Sequence, residues 1–179
     1  MSATTVLVID MLNTYRHKDA DALAPQVADI IDPLTELVTA ARAGADVELI
    51  YVNDNYGDFT AEFSDLVRNA LHGERPDLVE PIKPAGDCRF LTKVRHSAFY
   101  ATPLAYLLTR LDTKRLILTG QVTEQCILYT ALDAYVRHFP VVVPYDAVAH
   151  IDPALGDAAL KMMERNMGAE ILAAIDCLP

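Results

Sequence analysis

Arg115-Leu-Ile-Leu-Thr119-Gly-Gln-Val-Thr123-Glu-Gln-Cys126-Ile-Leu-Tyr-Thr130-Ala-Leu-Asp133-Ala134 reads as a strand that turns directly into a helix. Arg115 to Thr119 forms the strand, which ends at Gly120. The helix spans roughly residues 124–138, with Thr123 placed to cap it.

Outward from this unit the same alternation recurs. Thr5-Val-Leu-Val-Ile9 is apolar and β-branched and stops at Asp10, which predicts a buried strand. Val27, Ile30, Ile31, Leu34, Leu37, Val38 and Ala41 recur at helical spacing. Pro33 interrupts that face and predicts either a kink or a restart with Asp32 as N-cap, and Gly44 is placed to end the helix. Val47 to Val52 is a second strand, and residues 60–72 form a helix with Phe63, Leu66, Val67 and Ala70 on one side. Gly73 to Asp87, broken by Pro76, Pro81 and Pro84, reads as a loop, and loops of that length often sit beside a site. Arg89 to Val94 is a third strand, Thr102 to Leu111 a helix, and Val141 to Val143 a fifth strand. Asp152-Pro153 opens another helix, and Ala169 to Leu172 is a short sixth strand. Strands alternating with helices and no hairpin signals predict an α/β fold, a parallel sheet covered on both faces. No internal repeat or low-complexity tract divides residues 1–179, so a single domain is expected.

Composition removes several function classes. The chain has 179 residues, 52% hydrophobic and 22% charged, which is a globular composition. Its 15 Lys+Arg against 25 Asp+Glu give a net charge of −10, which argues against a nucleic-acid backbone as partner. No apolar run approaches the length that spans a bilayer, and Met1 to Thr5 carries no basic region ahead of an apolar stretch, so neither a membrane nor a secretory signal is expected. Cys88, Cys126 and Cys177 follow no disulfide-scaffold or zinc-finger spacing, and a reducing cytoplasm is the simplest setting. The phosphate-binding glycine loops, the Gly-x-Ser-x-Gly elbow and the second aspartate of an aspartyl-phosphate phosphatase after Asp10 are all missing from the sequence.

In open parallel sheets, ligands bind beyond the carboxyl ends of the strands. Asp10 closes strand 1, Lys93 lies near the end of strand 3, and Cys126 follows strand 4 in the first turn of a helix. Each has a bland reading alone: a carboxylate that accepts amide hydrogen bonds, a solvated lysine, a small inert core thiol. Together they supply a nucleophile, a base for its proton and a stabilising cation.

Gly120-Gln-Val-Thr123-Glu-Gln-Cys126 and the helix after it resemble the nucleophile motif of the isochorismatase-like cysteine hydrolases. Lys93-Val-Arg95-His-Ser97-Ala98-Phe99 is similar to that family's lysine motif, and Val8-Ile9-Asp10-Met11 to its aspartate-bearing first strand. The resemblance covers essentially the whole chain. It implies a three-layer α/β/α Rossmann-like fold with a six-stranded parallel sheet ordered 3-2-1-4-5-6, and catalysis by Asp10, Lys93 and Cys126. That order sets strands 1 and 3 about 10 Å apart, so Lys93 has to reach across strand 2. The resemblance also implies a cis peptide at Val122-Thr123, turning a backbone N–H into an oxyanion hole shared with the N–H of Cys126.

Asn53-Asp54-Asn55-Tyr56 stands where the nicotinamidase branch carries an Asp-x-His metal motif, and it has no histidine. No metal and no cofactor are therefore expected. Retention of Cys126 favours covalent hydrolysis of a small amide, carbamoyl or related acyl compound. Vinyl-ether hydrolysis of the isochorismatase type and a non-catalytic ligand-binding role are the alternatives. Tyr15, Asn55, Tyr56 and Gln121 are pocket candidates by their nearness to strand ends, and Asp133 reads as structural. His17 and His150 could reach a site mouth, although surface or cap roles are expected for them. A small-molecule substrate and a homo-oligomeric assembly complete the expectations.

Overall fold

The computed structural model describes residues 3–178, so Met1, Ser2 and Pro179, including the ends of the expected 1–179 domain, lie outside it. Its elements in order are β1 (Ala3–Ile9), α1 (Ala20–Ala43), β2 (Val47–Asp54), α2 (Phe63–Leu71), β3 (Arg89–Lys93), α3 (Leu104–Arg110), β4 (Thr113–Gln121), α4 (Leu128–Tyr135), β5 (Val141–Pro144), β6 (Val148–Ala149), α5 (Pro153–Met167) and β7 (Glu170–Leu172). All pairings are parallel, and the sheet runs β3-β2-β1-β4-β5-β7. The expected order holds, with the sixth expected strand appearing as β7. One strand was not foreseen: the two-residue β6 pairs Gly120 and Gln121 of β4, beyond the point where β5 stops pairing.

Alternation along the buried strands divides the core in two. Val6, Val8, Tyr51 and Ile117 face α1, whose Val27, Leu34, Leu37 and Val38 fill that layer. Leu7, Ile9, Val52 and Leu118 face the other way, toward Leu104 and Leu108 of α3, Ala131 of α4 and Met163 of α5. Helices therefore cover both faces, and the strand ends are left as the open rim.

Several local readings are corrected. Helix α1 runs unbroken through Pro25 and Pro33, so Asp32 caps nothing. A continuous buried stripe from Leu23 to Ala41 holds the helix against the sheet despite the missing N–H groups. The stretch 73–87 contains two 3₁₀ turns, Pro76–Leu78 and Glu80–Ile82, because Leu78, Val79 and Ile82 between the prolines are buried in the α1 layer. Asp152 caps α5 as expected, accepting the N–H groups of Ala154 and Leu155. Among the described residues no helix is long and apolar enough to cross a membrane.

Candidate active site

Asp10 is the first residue past β1 and takes a left-handed φ of 54°. Its N–H donates to the Val52 carbonyl at 2.9 Å, so β2 holds the reversal in place. The side chain then turns toward β2, where Oδ1 accepts the Asp54 N–H at 2.8 Å. Asn53 clamps the loop that follows, accepting the Leu12 N–H and donating back to the Leu12 carbonyl. The Gln121 amide donates to the Asp10 carbonyl at 2.6 Å, tying the ends of β1 and β4 together.

Lys93 ends β3 on the outer side of β2, in register with Asp54. Its side chain passes over the end of β2 into the site and is wholly buried. The Nζ lies 2.8 Å from Asp10 Oδ2, 3.4 Å from Asp54 Oδ2 and 3.7 Å from Cys126 Sγ. Three ammonium protons meet three partners, which leaves none free. The segment after Lys93 is anchored to α4 by the Ala98 N–H on Thr130 Oγ1 and by Ser97 Oγ on Asp133 Oδ2. Asp133 also pairs with Arg137, so it is structural, as expected.

Cys126 sits in a π-helical turn, Thr123–Ile127, ahead of α4. The expected α-helical start capped by Thr123 is not what forms. The Ile127 N–H reaches the Val122 carbonyl, five residues back, at 3.2 Å, which makes the turn one residue wider than α. The Thr123 hydroxyl is buried without a partner. The non-proline cis bond joins Gln121 and Val122, one bond before the expected Val122-Thr123, because β4 stays extended through Gln121 and the turn has begun at Thr123. Glu124 accepts the N–H groups of Ile151 and Asp152, which fastens the cysteine turn to the start of α5.

Electrostatically the three groups hold one another in particular protonation states. Burial raises the Asp10 pKa above the ordinary carboxylate value, although Lys93, the Cys126 thiol and the Asp54 N–H pull the other way. Burial opposes the Lys93 ammonium, but Asp10, the sulfur and Asp54 outweigh it and the pKa is raised. Burial and then the Asp10 charge push the Cys126 thiol far above its ordinary value, and Lys93 only partly offsets them. Burial and the Asp10 charge therefore work against the free thiolate that a helix terminus and a lysine alone would favour.

The family model described as Isochorismatase domain matches residues 4–176. The chain belongs to the isochorismatase family. It is 34% identical over 166 residues to the uncharacterized isochorismatase family protein YaaI of Bacillus subtilis, across 93% of this chain and 91% of that protein. Ureidoacrylate amidohydrolase RutB of Methylorubrum extorquens is 28% identical over 93% of this chain and 78% of its own length. The crystal structure of nicotinamidase/pyrazinamidase PncA from Bacillus subtilis superposes with a TM-score of 0.74 at 26% identity, covering 95% of this chain and 99% of that one.

In this isochorismatase-family chain, a cavity of about 300 Å³ opens onto Asp10 and Cys126. Of the pocket candidates, Tyr56 and Gln121 line it. Tyr56 buries its hydroxyl, which donates to the Leu12 carbonyl at 3.0 Å, and exposes its ring. Tyr15 and Asn55 do not line it. Tyr15 is buried behind, close enough to Gln121 for its hydroxyl to be influenced but without hydrogen-bond geometry, and Asn55 is used up bracing its own turn through the Gly57 N–H. Asn13, Asp19, His96 and Gln125 line the cavity and were not singled out from sequence, and His17 joins them. His150 instead packs under Gly156 of α5. Asp54, which stands at the metal-motif position, is committed to Lys93 and to the Tyr56 N–H. Among the described residues no group of three or more His, Cys, Asp or Glu is arranged to hold a metal ion. A larger cleft, about 670 Å³, lies between α2 and β3 around Phe63, Cys88 and Phe90, away from these groups. The smaller cavity is the candidate site because the reactive groups are there.

Proposed function

We propose that the protein hydrolyses a small amide, carbamoyl or related acyl compound through an acyl-thiol intermediate on Cys126. One observation carries this reading: Lys93 Nζ stands within reach of both the Asp10 carboxylate and the Cys126 sulfur, beside an open cavity. The relatedness to an amidohydrolase supports the bond type.

In this mechanism Asp10 takes the thiol proton as Sγ adds to the substrate carbonyl. A high thiol pKa suits concerted transfer, since a proton handed over only during attack avoids an exposed thiolate in the resting site. The backbone N–H groups of Val122 and Cys126 are the oxyanion donors in this reading. Collapse breaks the C–N bond, and protonated Asp10 gives its proton to the departing nitrogen. Water then adds to the thioester while Asp10 accepts its proton, and the C–S bond breaks as that proton returns to sulfur. Lys93 stays protonated throughout and keeps Asp10 ionised at the start of each half-reaction.

The test is a panel of primary amides, carbamoyl compounds and ureides, with quenched samples weighed for an acyl adduct on Cys126. The expected result is turnover of at least one compound with a mass increase on that peptide. Undiminished turnover in folded Cys126→Ala would end the proposal.

A further inference from the structure

Every charged group that lines the cavity is either committed to the reaction centre or negative. Lys93 is wholly buried and its three protons are engaged. Arg16 is drawn away by Glu74 and the His72 carbonyl. Lys18 and Arg95 are exposed and do not line the cavity. Asp10 and Asp54 are taken up by Lys93 and by backbone N–H groups. Asp19, at the start of α1, differs from them. It lines the same cavity, makes no capping hydrogen bond with its side chain and forms no ion pair among the described residues. Besides the imidazoles of His17 and His96, the described lining offers a substrate carboxylate no free cation and sets it against the unpaired Asp19 carboxylate, at a cost that low local dielectric magnifies.

We infer that the site selects substrates that carry a positive charge, an ammonium or amidinium-like group, away from the scissile carbonyl, and that Asp19 is the residue that receives it. This rests on the hydrolase reading only for the word substrate. The charge preference belongs to the cavity and holds for any reagent that reaches Cys126. It sets this chain apart from a relative named for ureidoacrylate, an acid.

The experiment measures modification of Cys126 in the full chain by aminoethyl and sulfonatoethyl methanethiosulfonate, at mildly alkaline pH. In each case the thiolate attacks the reagent's sulfenyl sulfur and methanesulfinate leaves. Rates are read on the Cys126 peptide by mass spectrometry and normalised to 2-mercaptoethanol. The cationic reagent is expected to be favoured, and Asp19→Asn to lower the cation-to-anion ratio by about three- to tenfold. Asp19→Glu should restore it. An unchanged ratio in Asp19→Asn, or a preference for the anion in the parent, would overturn the inference. In parallel, ammonia release is followed from 4-aminobutanamide, its neutral isostere pentanamide, and 4-carbamoylbutanoate. The first is expected to have the highest kcat/KM, with the advantage over pentanamide shrinking in Asp19→Asn. An Asp19-dependent reagent ratio with no amide turned over would support the charge preference while counting against the hydrolase reading.

Discussion

Lys93 Nζ lies 2.8 Å from the Asp10 carboxylate although β2 separates their strands in the sheet. The contact exists because the lysine leaves β3 in register with Asp54 and passes over the end of β2, where Asp54 offers a second oxygen. A buried ammonium is thus shared by two carboxylates and a sulfur, and the charges at this rim are mutually dependent.

That dependence should be visible in stability. Lys93→Met is expected to cost about 3–5 kcal/mol at neutral pH, because it leaves the buried Asp10 carboxylate without its cation. The parent lysine's pKa is raised by folding, so its contribution is complete below the ordinary lysine range and is lost as pH rises through the folded value. In the variant, Asp10 can escape only by taking a proton, so part of the loss should return on mild acidification. Urea unfolding of both proteins across the acidic and neutral range measures this, and a deficit independent of pH would contradict it.

Thiol reactivity should separate Asp10 from Lys93. The Asp10 charge raises the Cys126 pKa and Lys93 lowers it. Asp10→Asn should therefore be inactive yet alkylated by iodoacetamide faster than the parent at neutral pH. Lys93→Met should be alkylated more slowly, recovering only in alkali. Identical pH curves in all three proteins would mean that neither group is coupled to the sulfur.

Removing the nucleophile should abolish hydrolysis. Cys126→Ala is expected to lose on the order of 10⁶ in kcat if it is as essential as the nucleophile of a well-studied triad. Circular dichroism should establish that the variant is folded before its rate is interpreted.

The rate of amide hydrolysis should fall in acid as Asp10 takes up its proton. Burial raises that pKa, so the acid limb is expected above the ordinary carboxylate range. On the alkaline side both Cys126 and Lys93 are raised, so the plateau should extend through neutral pH. A kcat/KM profile in substrate-saturating and dilute regimes tests both limbs.

Gly120 and Gly57 both have positive φ, but only one is hemmed in. A Cβ at Gly120 would lie 2.2 Å from the Ile9 carbonyl oxygen, whereas Gly57 has open space around it. Gly120→Ala is expected to destabilise by about 2 kcal/mol or more, since backbone must move as well as φ. Gly57→Ala should cost about 1 kcal/mol. Thermal melts of the two variants decide it.

The strand-end positions of Asp10 and of the turn after Gly120 were legible from hydrophobic runs that stop abruptly there, whereas the sheet order and the grouping of Asp10, Lys93 and Cys126 as one site leaned on the resemblance of three motifs to a known family. What could not be read was set by contacts distant in sequence. Asp19 reaches the cavity because the loop after β1 folds back over it, and Asn53 clamps that loop from a different strand. Their side chains carry no periodic signal. Pro33 looked like a break because proline costs a hydrogen bond locally, while the buried stripe that outweighs it is tertiary. The wide turn at Cys126 follows from two five-residue hydrogen bonds, Ile127 to Val122 and Leu128 to Thr123, which propensity does not encode.

Strand β6 is only two residues long, yet it changes what a shortened chain could be. A chain stopped after Pro144 would still contain β1 to β5 in their order. It would lack Ala147, whose carbonyl accepts the Gly120 N–H, and the pairing of Val148 and Ala149 with Gly120 and Gln121. The base of the cysteine turn would become a raw sheet margin, open to water and to other chains. The portion after β5 is in effect the far wall of the reaction centre, and a minimal catalytic fragment could not be cut from this chain without it.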